Sequence, residues 1–311
     1  MACNFEAVAG EEWKIMGLAP YGRMDQELYE RLKAFYSVDG LTINCTSASL
    51  RIFTDLISKP VSHKKDFEKA ANYAFTFQSF YTETVSAVLN ELQARTGEDN
   101  LVLTGGCALN SSYNGRVLHH TEFKRVYIPS APADDGNAAG AAILASTHYN
   151  ESLMLGTGFQ SPYLGSEIDE EELEALLENS GCLDFMRCKD DVHLCEEVAA
   201  LLAAGNVVAW VQGRAEYGPR ALGNRSILAD PRDPGMKDKV NRVVKFREAF
   251  RPFAPSILDE YGHEYFSEYH DSPYMERTLE IRPEKRGDVP AVCHADGTGR
   301  LQSVTQKRNP L

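Results

Sequence analysis

The apolar positions of this chain follow two periods, and their alternation predicts its elements. Residues 25–38 repeat apolar side chains at helical spacing, and 66–96 keep that period long enough for one long helix. Tyr73, Phe75, Phe77, Phe80 and Tyr81 crowd the first half of the long helix and are expected in a core. LVLTGG at 101–106 reads as a short apolar strand ending in two glycines, with a helix opening near Cys107 or Ala108. KRVYIP at 124–129 reads as a second strand. DDGNAAGAAILAST at 134–147 reads as a small-residue helix with acids in its first turn, where the helix dipole favours them. Strands and helices in this rhythm predict an α/β fold.

Gly, Ser and Pro gather at 156–168 and mark a boundary. Beyond it, IDEEELEALLENSG predicts an acidic helix closed by Gly181, followed by a strand at 183–188. DDVHLCEEVAALLAAG predicts a helix closed by Gly205, and NVVAWVQG at 206–213 a buried strand. The segment from 283 to 311 is polar and reads as loop. A chain of 311 residues is long for a single core, so two domains are expected, 1–160 and 165–311.

Composition narrows the class. With 43% hydrophobic and 25% charged residues the chain reads as globular. It has no apolar run of about 18 residues, so no membrane partner is expected. MACNFEAVAGEEW lacks the basic start and apolar stretch of a secretory signal, which points to a cytoplasmic protein. Seven cysteines lie scattered without CxxC spacing and are expected to be reduced packing residues; Cys182, Cys188 and Cys195 form the one loose cluster.

Charge singles out one stretch. The chain carries a net charge of -13, yet Gln212–Ser256 holds ten Arg and Lys against five Asp and Glu. Cations gathered on an anionic protein suit a small, highly charged anion. Nucleic acid is a poor partner, because the remaining surface repels it. Gly218, Pro219 and Gly223 frame Arg220 as a fixed loop, and Lys245 and Arg251 flank Phe246, Phe250 and Phe253. The competing reading is a set of ion pairs with Glu216, Asp230, Asp233 and Glu248, which leaves charge over.

Three weaker signals each admit two readings. TGGCALN at 104–110 is either a tight turn or a place where backbone amides approach a phosphate. Asp134 and Asp135 are either helix caps or carboxylates for a metal that bridges phosphates. His119 and His120 are expected at a helix end, and His294, near Asp296, in a surface loop.

Together these residues resemble a family. EWKIMGLAPYG (12–22), NLVLTGGCALNSSYNGR (100–116), PADDGNAAGAA (132–142), EYGPRALGNRSILADPR, SPYM (272–275) and PEKRGDVPAVCHADGTGRLQSV (283–304) are similar to the carbamoyltransferases of nodulation-protein and antibiotic-tailoring type. The resemblance implies a partial Hsp70/actin-like (Kae1-like) domain followed by a YrdC-like α/β domain that is incomplete at its C-terminus. It implies transfer of a carbamoyl group from carbamoyl phosphate, with ATP and through carbamoyl adenylate, to a hydroxyl of a small-molecule or sugar acceptor. By the same resemblance Arg220, Lys245 and Arg251 bind carbamoyl phosphate, and Gly105, Gly106 and Asn110 line the adenosine pocket. Asp134 is then a ligand of a divalent metal, iron or magnesium. Family members are longer at both ends and carry metal histidines that this chain lacks. The chain therefore reads as a central piece of such an enzyme. The alternative is a non-catalytic subunit that associates with a second copy or with a partner chain supplying the missing half-domain.

Overall fold

The computed structural model describes residues 2–6, 10–149, 160–181 and 184–309. Helix α1 (Lys14–Leu18) leads through one 3-10 turn to α2 (Gln26–Phe35), which Asp25 caps by accepting the Leu28 N–H at 3.0 Å. The helix stops before the end of its apolar repeat. Tyr36–Asp39 instead forms strand β1, paired antiparallel with β2 (Thr42–Cys45) across a turn where Gly40 takes φ +56°. Tyr36 and Val38 lie on the more buried side of β1, a two-residue spacing too short to separate from a helical one.

After α3 (Ser47–Ser58) comes α4 (Phe67–Thr96), a helix of 30 residues. Asp66 accepts the Lys69 N–H at 3.1 Å at its start, and Gly97 closes it at φ +67°. Ala70, Ala71 and Ala74 present a fully buried face to Leu18, Ala19 and Phe250. Gly22 sits so close that a β-carbon there would stand 2.0 Å from the Ala71 carbonyl oxygen. Tyr73, Phe77 and Phe80 pack on a second core with Leu28 and Leu32, and Tyr81 joins a third with Leu89 and Leu101.

Strand β3 (Asn100–Val102) pairs parallel with β4 (Arg125–Tyr127). The connection is a 3-10 turn at Gly106–Leu109 and two short helices, α5 (Ser111–Asn114) and α6 (Val117–His120), rather than one helix. Asn110 causes the break: its side chain accepts the Tyr113 N–H at 3.1 Å and starts a new turn. His119 and His120 do close a helix. Helix α7 (Gly136–Tyr149) buries none of its residues.

In the second half, α8 (Glu170–Ser180) and α9 (Asp191–Ala203) are capped by Asp169 and Asp190. Residues 184–188 form no strand, and position 183 lies outside the described residues. Strand β5 (Val208–Val211) pairs antiparallel with β6 (Arg225–Leu228) and is half-buried rather than buried, with Val211 50% exposed. Helix α10 (Met236–Val240) runs into a π-helical turn at Asn241–Lys245. Then follow β7 (Ser256–Leu258), α11 (Gly262–Tyr265), β8 (Thr278–Glu280), β9 (Thr298–Arg300) and β10 (Gln302–Val304). β10 pairs parallel with β7, and β8 antiparallel with β9.

The polar segment after 283 is thus not all loop. Leu301, Gln302 and Ser303 are buried, and the polar ones are satisfied: Gln302 Nε2 donates to the Leu222 carbonyl at 2.8 Å and the Ser272 N–H donates to Ser303 Oγ at 2.8 Å. Among the described residues the strands form five two-stranded sheets, so the α/β character is mixed and local. Of the six described cysteines only Cys3 is buried, its thiol pushed up to about 11 by burial; Cys45, Cys107 and Cys195 are exposed, contrary to a packing role. No helix among the described residues is long and apolar enough to cross a membrane.

Candidate functional site

The basic stretch is built around a carboxylate. Glu216 Oε1 accepts the N–H groups of Leu222, Asn224 and Arg225 at 2.7, 2.9 and 3.2 Å, which ties the Pro219–Gly223 loop to β6. Gly218 at φ +125° lets this loop touch the other half of the chain: a β-carbon would stand 2.5 Å from the Ser130 carbonyl oxygen. The Tyr217 hydroxyl donates to the Asp135 carbonyl. Residues 162–166 are packed on the same loop, with the Tyr217 N–H donating to the Pro162 carbonyl at 2.6 Å and the Ala215 N–H to Ser166 at 2.8 Å.

Eight of the ten cations of the stretch divide by task. Arg214 and Arg225 are spent on backbone carbonyls, Lys239 donates to Gly205 and Lys237 to the Tyr21 hydroxyl. Arg232 pairs with Asp230 at the surface. Arg220, Arg247 and Arg251 are half-buried, and the guanidinium of Arg300 from β9 feels the positive charge of all three.

Arg300 is the centre of this group. Its side chain is half-buried and makes no hydrogen bond and no ion pair with a described residue. Burial, reinforced by the three other arginines, lowers its pKa to about 9. Burial also lowers Arg247 to about 10. Arg247 rests over the Phe253 ring and donates to Asn241 Oδ1 at 2.5 Å. Burial lowers Arg220 as well, with the Glu276 carboxylate opposing. Arg220 joins the two halves, donating to the Met275 carbonyl at 2.6 Å and the Leu109 carbonyl at 3.2 Å. Arg251 lies 4.2 Å from the Trp13 ring centroid, with Glu248 Oε2 at 3.7 Å and its own Nε buried without a hydrogen bond. Glu248 is shared with the buried Lys14 at 2.6 Å. Four guanidiniums thus face a shortage of carboxylate, the electrostatic profile of an anion site.

Not every expected site residue enters this group. Lys245 is exposed at the end of the π-helical turn, beside Phe246 at φ +48°. Gly105, at φ +87°, and Gly106 lie in an exposed turn where nothing stands within 4 Å of a β-carbon, so the backbone there is open to approach. Asn110 exchanges side-chain hydrogen bonds with Gln78 at 3.3 and 3.1 Å. Asp134 is exposed and its carbonyl accepts the Asn137 N–H, while Asp135 Oδ1 accepts the Gly136 N–H. The described residues contain no group of three His, Cys, Asp or Glu able to hold a metal ion. His294 is not a surface histidine: its Nε2 is shut off from solvent.

Reasoning from charge count missed Arg300 and Trp13, and it counted Arg247 without singling it out. The Trp13–Lys14 pair of the EWKIMG segment meets Glu248 and Arg251 of the REAFRP segment, a junction no linear pattern displays. For Arg300 a signal existed: it is a lone charge in the otherwise uncharged run Thr298–Val304.

Comparison with known proteins places the chain in a family. Residues 4–143 match the carbamoyltransferase N-terminus model and residues 199–311 the carbamoyltransferase C-terminus model. Nodulation protein NolO of Bradyrhizobium diazoefficiens is 39% identical over 321 residues, covering 96% of this chain and 55% of that protein. Nodulation protein U of the same organism is 30% identical, over 94% of this chain and 51% of its own length. Uncharacterized protein MJ1058 of Methanocaldococcus jannaschii is 35% identical, over 96% of this chain and 49% of that protein. The chain spans about half the length of these relatives, and it belongs to the carbamoyltransferase family.

Proposed function

We propose that this chain carries the carbamoyl-phosphate site of an ATP-dependent carbamoyltransferase that acts through carbamoyl adenylate on an acceptor hydroxyl. The observation that supports it is Arg300, a half-buried guanidinium with no hydrogen bond or ion pair to a described residue, which feels the positive charge of Arg220, Arg247 and Arg251. Planar guanidinium forks match phosphate oxygens two at a time, and fixed cations stabilise charge that develops on a leaving phosphate. Arg220, Arg251 and Arg300 hold the phosphate in this reading. Lys245, on a long exposed stem, reaches the donor only by closing over it. Gly105, Gly106 and Asn110 offer an open turn to a nucleotide, with Kae1-like and YrdC-like halves on either side of residue 160. Asp134 supplies one carboxylate, and the described residues complete no set around it that fits iron or magnesium. A cytoplasmic setting suits the carbamoyl donor.

Titration calorimetry with carbamoyl phosphate tests the proposal. Arg220→Ala and Arg251→Ala should each weaken binding by about 1.5–3 kcal/mol. Unchanged affinity in both variants contradicts it. A second reading, a non-catalytic subunit that pairs with another chain, draws on α7, which leaves Leu144 71% exposed. The retained arginine group favours the first.

A further inference from the structure

One buried guanidinium stands apart from the arginine group. Arg277 precedes β8, and its side chain is 8% exposed. Its Nε donates to Glu276 Oε1 at 3.2 Å. The two terminal nitrogens make no hydrogen bond to a described residue and, unlike Arg251 Nε, are not closed to solvent. Glu276 does not serve Arg277 alone. Its Oε2 accepts the Ser272 hydroxyl and the Tyr274 N–H, both at 3.0 Å, and its charge also acts on Arg220. One buried carboxylate is thus shared between two guanidiniums.

Arg277 lines a cavity of about 500 Å³. Among the described residues β4 pairs only with β3, and residues 124–128 along it form one wall of the cavity. Leu118, Val126, Pro273 and the Tyr274 ring give it apolar surface, and the Tyr274 hydroxyl is tied to the Gln160 carbonyl at 2.7 Å. Lys124 and Arg125 stand exposed at its rim. Both acids of the cavity are already engaged: Glu276 as described, and Asp271 by Arg308, whose terminal nitrogens donate to its two oxygens at 2.7 and 2.5 Å. Burial and the Arg277 charge hold the His270 imidazole below its usual range, so that charge is felt at the cavity wall. The charges acting on Arg300 are those of Arg220, Arg247 and Arg251, and Arg277 is not among them.

We infer that this cavity is a second ligand site, for a small organic anion whose carboxylate or phosphate-ester head pairs with the Arg277 fork and whose apolar body lies against Leu118, Val126, Pro273 and Tyr274. A guanidinium edge with two unpaired nitrogens binds two oxygens of one head group at once. The volume suits a small molecule, and apolar walls with a few fixed polar groups are what such sites are made of. Lys124 and Arg125 draw an anion to the mouth of a chain that otherwise repels it. The inference is independent of the carbamoyl-phosphate reading above.

Calorimetric titration of this chain with benzoate and with phenyl phosphate tests it. Wild type should bind at least one of them with a Kd of about 1 mM or tighter. Binding of benzoate alone assigns the cavity to carboxylates, and binding of phenyl phosphate alone to phosphate esters. Arg277→Met should weaken the bound probe by about tenfold or more. Arg277→Lys, which keeps a cation beside Glu276 and so guards against misfolding, lacks the fork and should also lose about tenfold. Arg251→Ala, in the other group, should leave the affinity within about twofold. Wild type that binds neither probe overturns the inference, and so does an affinity that survives in Arg277→Lys. A loss confined to Arg251→Ala overturns it as well, because the probe then sits among the other arginines.

Discussion

Four arginines within electrostatic reach of one another destabilise an empty site, and two residue-level predictions follow from that cost. Arg300→Met removes a half-buried cation that has no carboxylate partner among the described residues. It should raise the stability of the unliganded chain by about 2 kcal/mol, because removing an uncompensated charge relieves its desolvation. Thermal unfolding without added anions checks this; a lower melting temperature would mean that Arg300 has a partner of its own. His294 gives a pH signature. Its pKa falls from 6.5 to about 4 on folding, so between those values the unfolded chain binds more protons than the folded one. Stability is then fully present above pH 6.5 and is lost as pH falls towards 4, by up to about 3 kcal/mol. Unfolding curves at pH 4.5 and 7 should differ less in His294→Phe than in wild type, and an equal difference in both contradicts the assignment.

Among the elements, the decisive piece is the Pro219–Gly223 loop, pinned by Glu216 and seated on Ser130 through Gly218. Gly218→Ala places a β-carbon 2.5 Å from a backbone oxygen at a backbone angle that side chains rarely adopt. It should cost about 1–3 kcal/mol of stability. Denaturant unfolding measures it, and a shift below about 0.5 kcal/mol would mean that the loop does not rest there. Long helices were legible in advance because α4 repeats its period for many turns and has Asp66 and Gly97 at its ends. The β1–β2 hairpin and the strands β9 and β10 were not. Three or four residues carry too little periodicity, and Gln302 and Ser303 are buried through hydrogen bonds that polarity alone does not announce. Arg220 and Arg251 were legible as a local excess of charge. Arg300 arrives from a distant strand, and only folding brings it to them.

For the whole molecule, the site belongs to both halves of the chain. Arg220 spans from the Leu109 carbonyl to the Met275 carbonyl, Phe250 completes the core of α4, and Trp13 lies against Arg251. An anion bound among the arginines should therefore stabilise both halves together. Carbamoyl phosphate at one hundred times its Kd should add about 2.7 kcal/mol in a single transition. Trp13 emission should change as the ligand engages Arg251, and a saturating titration that leaves the fluorescence untouched would place the ligand elsewhere. The central claim is that Arg300 and its neighbours form one phosphate site, and the most direct test is the Kd of carbamoyl phosphate for Arg300→Ala measured beside Arg232→Ala. The account predicts a loss of at least about tenfold for Arg300→Ala and wild-type affinity for Arg232→Ala, whose guanidinium is paired with Asp230 at the surface. Equal affinities in the two variants would contradict it.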